Sequence, residues 1–131
     1  MNGILLLIGM LFLHIIDDYY LQGVLASMKQ KSWWEKNCPN PLYKKDYIMA
    51  LVEHAFSWTV MIHIPIIIYS MVYNVEISSV IFVILFFVNW VVHAMTDHVK
   101  ANLLKINLIQ DQLIHIVQIV GTWMIYLNIF R

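Results

Sequence analysis

The sequence predicts an all-α integral membrane protein, a four-helix transmembrane bundle with both termini on the non-cytoplasmic side. Three observations predict it. Of 131 residues, 61% are apolar and only 12% charged, about half the charge of an ordinary soluble domain. Four apolar stretches, at about 3–25, 47–73, 77–98 and 107–130, reach or approach the ~20 residues that a helix needs to cross a hydrocarbon core. The lysines are confined to two of the three connections between those stretches.

The same composition excludes other classes. A mean hydropathy of +0.72 is incompatible with disorder, which requires low hydrophobicity and high charge. Eight basic and eight acidic residues cancel, so no basic field exists to hold nucleic acid. The single cysteine, Cys38, excludes an internal disulfide framework and a cysteine-rich zinc site. The length allows one domain, 1–131.

The first span, 3–25, is retained and not a cleaved signal: it has no basic leader, and Asp17-Asp18 stands where a cleavage site would need small residues. The loop 26–46 carries Lys29, Lys31, Lys36, Lys44 and Lys45, with Trp33, Trp34, Tyr43 and Tyr47 suited to the headgroup layer. Its Cys38-Pro-Asn-Pro41 stretch interrupts any helix. The third span is the cleanest, apolar on every side from Val80 to Val88. A soluble bundle would need Lys- and Glu-rich outer faces, which these segments lack. Lys100 and Lys105 mark the third connection, whereas Asn74-Val-Glu76 has no basic residue. Short Lys-rich loops stay in the cytoplasm. Arg131 alone runs against that pattern. The expected setting is the inner cell membrane, crossed several times.

The informative residues are the polar ones within the spans. Span one has His14, Asp18 and Gln22; span two has His54 beside Glu53. Span three has Asn89, His93, Asp97 and Lys100; span four has Asp111, His115, Gln118 and Thr122. At helical spacing each set forms one stripe, the last within about 60°. Lipid cannot satisfy such stripes, so they should converge on the bundle interior. Asp18, His54, His93 and His115 also lie seven to eleven residues from the lysines beside them, which places them about 10–16 Å below the cytoplasmic face. On a regular helix Asp17 points about 100° away from Asp18, where it suits the headgroups as well as the site.

Three spans pair His with Asp at spacing four: His14/Asp18, His93/Asp97 and Asp111/His115. Imidazole with carboxylate is a ligand set for Zn²⁺, with Mn²⁺ or Fe²⁺ as alternatives. His14, Asp18, His54, His93, Asp97, Asp111 and His115 are the candidate metal residues, with His14, His93 and His115 foremost. Burying their carboxylates without a cation costs several kcal/mol per ion. Hydrogen bonding between helices is the plainer account of a lone intramembrane histidine, and His63 and His98 are read that way. Seven convergent residues exceed what assembly needs.

Taken together, His14-Ile-Ile-Asp-Asp18-Tyr-Tyr-Leu-Gln22, then His54, then His93-Ala-Met-Thr-Asp97-His-Val-Lys100, then Asp111-Gln112-Leu-Ile-His115 resemble a small bacterial and phage integral-membrane family. That family is catalogued as a domain of unknown function, with motifs HxxxDxxLQ, H, HxxxDxxK and DQxxH. The resemblance covers nearly the whole chain and implies that those polar residues are signature positions. It implies no activity. A similarity to small membrane proteins described as metal-dependent hydrolases is analogy alone.

The leading expectation is a divalent-metal-dependent hydrolase at the cytoplasmic leaflet. Asp18 or Glu53 would act as general base and Lys100 would stabilise developing negative charge. Its partners would be the bilayer and a lipid-linked or membrane-associated substrate, and a unit this small leaves room for a homo-oligomer. The alternatives are a metal-ion or proton transporter, and a non-enzymatic accessory protein whose polar network only holds the bundle together.

Overall fold

The computed structural model describes residues 2–129; Met1, Phe130 and Arg131, including the expected end of the fourth span, lie outside the described residues. Six α-helices follow in order: α1 (Asn2–Ile15), α2 (Leu25–Met28), α3 (Lys31–Asn37), α4 (Asp46–Tyr73), α5 (Ser79–Ala101) and α6 (Leu108–Ile129). A π-helical segment, Ile16–Leu21, prolongs α1, and a 3₁₀ turn, Pro41–Tyr43, precedes α4. Four segments are long and apolar enough to cross a membrane: Gly3–Leu21, Pro41–Tyr73, Ser79–Ala101 and Leu108–Ile129.

The four long helices run alternately up and down. α4 packs between α1 and α5, and α6 closes the ring against both of them. Each neighbour in the ring is therefore antiparallel, as the short α4–α5 and α5–α6 connections demand of those two pairs. Sharp stops occur where the chain takes left-handed backbone: Asn74 ends α4 at φ 51°, Leu104 lies in the α5–α6 turn at φ 54°, and Gly23 turns the chain at φ 51° after the π segment. Only glycine adopts that conformation without cost, so Gly23 fits its place.

The interior has two parts. At the end holding the α4–α5 connection, Leu6, Met10, Trp58, Ile62, Ile66, Ile119 and Tyr126 form an apolar core. Gly9 lets α1 approach α4 there, since a Cβ would stand 3.3 Å from Pro65 Cβ. At the lysine-rich end the interior is polar. The outer surface is the reverse of a soluble bundle: Val83, Ile84 and Phe87 on α5 and Met71 on α4 are exposed. Apolar residues on the outward faces of the four long helices suit an apolar solvent.

The loop between α1 and α4 is more ordered than its composition predicts. Asn102, just past α5, donates from Nδ2 to the Lys29 carbonyl at 3.0 Å and accepts from the Lys31 amide at 2.6 Å. Trp34 Nε1 donates to the Met28 carbonyl at 2.6 Å. These bonds fold α2 and α3 back across the end of the bundle and turn Lys29 inward.

Candidate metal centre

The polar stripes of α1, α4, α5 and α6 meet in one buried cluster. His54 Nε2 lies 3.2 Å from His93 Nε2, 3.3 Å from Asp18 Oδ1 and 3.4 Å from Asp97 Oδ2. His93 Nε2 is 3.8 Å from the same Asp97 oxygen. On the other side, His115 Nε2 is 3.6 Å from Asp97 Oδ1 and 3.5 Å from Asp111 Oδ1. Asp18, His54 and His93, and likewise His93, Asp97 and His115, present ligand atoms close enough to hold a metal ion. Asp97 offers one oxygen to each side, the arrangement of a carboxylate that bridges two sites.

Hydrogen bonding fixes a hydrogen on one nitrogen of His115. Gln118 Nε2 donates to the Asn89 carbonyl at 3.2 Å, so its Oε1 is the atom facing His115 Nδ1, also at 3.2 Å. An amide oxygen only accepts; His115 Nδ1 therefore carries a hydrogen, and Nε2 is a lone pair when the ring is neutral and a second N–H when it is charged. Nε2 points at two carboxylate oxygens, and both Nε2 and Asp111 Oδ1 are buried without a hydrogen-bond partner. A neutral ring would repel those oxygens; a proton on Nε2 or a metal ion between them turns the contact attractive.

The charges give the same answer. Four buried carboxylates, of Asp17, Asp18, Asp97 and Asp111, face two ammonium groups. Lys29 Nζ lies 2.6 Å from Asp97 Oδ2, and Lys100 Nζ 2.6 Å from Asp111 Oδ2. With neutral histidines two negative charges remain, which one divalent cation would balance.

His14 reaches the cluster but takes a different part from the one expected. Trp58 Nε1 donates to His14 Nδ1 at 2.7 Å, and the other ring nitrogen lies 3.2 Å from Gln112 Oε1. Both nitrogens are engaged, so no lone pair is left for a metal. Gln112 in turn donates to Asp18 Oδ2 at 3.1 Å and Asp111 Oδ2 at 3.2 Å. His14 thus positions Gln112, which ties two carboxylates together. Glu53 is not brought in. It is exposed, because one residue along α4 from the buried His54 turns the side chain about 100°. Lys100 is half-buried beside Asp111.

Asp17 is the residue that helical reasoning missed. In the π segment the Gln22 amide bonds the Asp17 carbonyl, five residues back, which widens the turn and brings both aspartates inward. Asp17 is buried, accepts from Ser57 Oγ at 2.6 Å, and places Oδ2 3.8 Å from His54 Nδ1. At that distance it is a buried charge behind the ring of His54 and not a hydrogen-bond partner. Lys29 was also hidden, since nothing in the loop's sequence shows that it folds inward. Trp58 completes the site: its ring stacks on His93 at 4.2 Å between centroids, and His93 stacks on His115 at 4.1 Å. His98 stands apart, stacked on Tyr47, and His63 lies beyond the cluster among Phe82, Phe86 and Tyr126.

No family model, curated protein or solved structure matches this chain. The site's own chemistry carries the functional reading.

Proposed function

We propose that this is a divalent-metal-dependent hydrolase of the inner membrane, with both termini outside and its site in the cytoplasmic leaflet. The observation that carries the reading is the convergence of imidazole nitrogens of His54, His93 and His115 with carboxylate oxygens of Asp18 and Asp97, close enough to share an ion, in a cluster where four carboxylates face two ammonium groups. The separations of 3.2–3.4 Å around His54 Nε2 are close to the edge of a tetrahedron with bonds of about 2.0–2.1 Å, the length of zinc–imidazole bonds. Zinc is therefore the favoured ion, with manganese or iron as alternatives.

His54, His93, Asp18 and Asp97 form the proposed ligand set, with His115 and Asp111 completing a second position through Asp97. A cation held there lowers the pKa of water toward neutrality and polarises a phosphoryl or carbonyl oxygen. Asp18 and Lys100 both line the mouth of the site; Asp18 would serve there as a ligand, or as the base that takes a proton from water where His54, His93 and Asp97 alone hold the ion, and Lys100 would stabilise anionic charge on the substrate. Metal analysis of detergent-purified protein beside an Asp97→Asn variant tests the reading. One or two equivalents of divalent metal in the wild type, lost in the variant, support it. Metal-free wild type overturns it.

A transport reading has its own observation. From His115 a buried polar file continues through Gln118 to Asn89, whose Nδ2 donates to Thr122 Oγ1 at 2.8 Å. Cation or proton flux in proteoliposomes that His93→Ala abolishes would favour transport over hydrolysis.

A further inference from the structure

Two hollows in the surface meet at the cluster. The first, of about 400 Å³, opens at the lysine-rich end and is lined by Asp18, Gln22, Lys29, Gln30, Lys100 and Gln112, with Leu104 and Leu108 on its wall. The second, of about 600 Å³, is a groove between α1 and α6 lined by Leu11, Ile15, Tyr20 and Ile116, with His14 and Gln112 at its inner side. Tyr19 and Gln112 line both. The polar chamber at the end of the bundle and the apolar groove on its flank therefore adjoin, with Tyr19 and Gln112 at their boundary. That flank carries exposed Phe12, Ile15, Leu113 and Val117, so the groove opens toward hydrocarbon.

We infer that this cleft binds a bilayer lipid whose headgroup bears a phosphate. The inference rests on the proposed metal-dependent hydrolysis and names its substrate class. The chamber offers the ammonium groups of Lys29 and Lys100, each with N–H donors beyond the one given to its aspartate, beside the carboxylates of Asp18 and Asp97; ammonium donors suit phosphate oxygens. Without a metal those ammonium groups are consumed by Asp97 and Asp111; with a divalent cation the cluster is balanced and the chamber can accept an anion. The groove offers only an apolar wall beyond Gln112, which fits an acyl or prenyl chain and no soluble anion. A free phosphate would use the chamber and leave the groove unused. Hydrolysis in this cleft adds water across a P–O ester bond: the water oxygen joins phosphorus, the alcohol oxygen leaves with a proton, and nothing is oxidised or reduced.

The test uses the full chain in detergent, with metal content measured on each sample. Native mass spectrometry compares dihexanoyl phosphatidic acid with dihexanoyl glycerol, and inorganic phosphate is added as a competitor. Phosphatidic acid should bind at least about tenfold more tightly than the glycerol or phosphate. Ile116→Trp, which fills the groove on an exposed face, should weaken phosphatidic acid by at least about tenfold and leave the metal content unchanged. Lys100→Gln should weaken it in the same direction. Equal binding of the two lipids, inorganic phosphate as tight as phosphatidic acid, or full binding in Ile116→Trp each overturns the lipid site. Phosphate-lipid preference in protein that holds no metal keeps the lipid site but overturns both the metal reading and the argument that a cation frees the ammonium groups. Metal without lipid preference does the reverse.

Discussion

The Nε2 atom of His115 lies 3.6 Å from Oδ1 of Asp97, while its Nδ1 is committed to Gln118. An imidazole nitrogen and a carboxylate oxygen are thus held face to face in the buried interior by the packing of α5 against α6. A cation is the natural third party, and the identity of that cation separates the functional readings.

The pH dependence of metal retention follows directly. A metal binds imidazole only in its neutral form, so binding releases protons and weakens as pH falls. Protein dialysed at about pH 5 against metal-free buffer should lose its metal, and protein at about pH 7.5 should keep it. The stability contributed by the metal should vanish in the same interval, with a lower melting temperature at the acid end. A melting temperature indifferent to both metal and pH would falsify the metal reading.

Positioning groups should matter almost as much as ligands. Gln118→Leu removes the acceptor that holds the Nδ1 hydrogen of His115 but no ligand atom. Loss of such a support weakens metal binding by about 10–100-fold. Competition with a chelator of known affinity would measure it; an unchanged affinity would mean that His115 takes no part in the centre.

Lys29 should be costly to remove alone. Its ammonium is buried against Asp97, and breaking a buried ion pair by deleting one partner destabilises by about 3–5 kcal/mol. Lys29→Met should therefore lower stability strongly in metal-free protein. The double variant with Asp97→Asn should recover most of that loss, because no unpaired charge remains. Additive losses in the double variant, read by denaturant titration in detergent, would show that the pair is not coupled.

The orientation can be read from Cys38, which is partly exposed in the loop between α1 and α4. Seven lysines lie in the two connections at that end, so it should face the cytoplasm. A membrane-impermeant thiol reagent should leave Cys38 unlabelled in intact cells and label it once the membrane is opened. Labelling from outside would invert the topology and put the metal centre in the outer leaflet.

The four long helices were legible in the sequence because hydrophobic length and a polar stripe are local properties of a chain with a fixed rise and turn per residue. The i, i+4 pairs His93/Asp97 and Asp111/His115 needed only that regularity to share a face. Where the turn is irregular, this reading failed: the π segment turns Asp17 inward, and no residue in Ile16–Leu21 announces it. Lys29 and Asp97 are 68 residues apart, and they meet only because Asn102 anchors the folded loop to the end of α5. The engagement of His14 by Trp58 and Gln112, and the hydrogen on His115 Nδ1, likewise depend on which atom of each neighbour faces which. The sequence alone thus determined which residues line the interior. Only the tertiary structure decided how their nitrogens and oxygens pair, because hydrogen bonds between separate helices are settled by packing and not by periodicity.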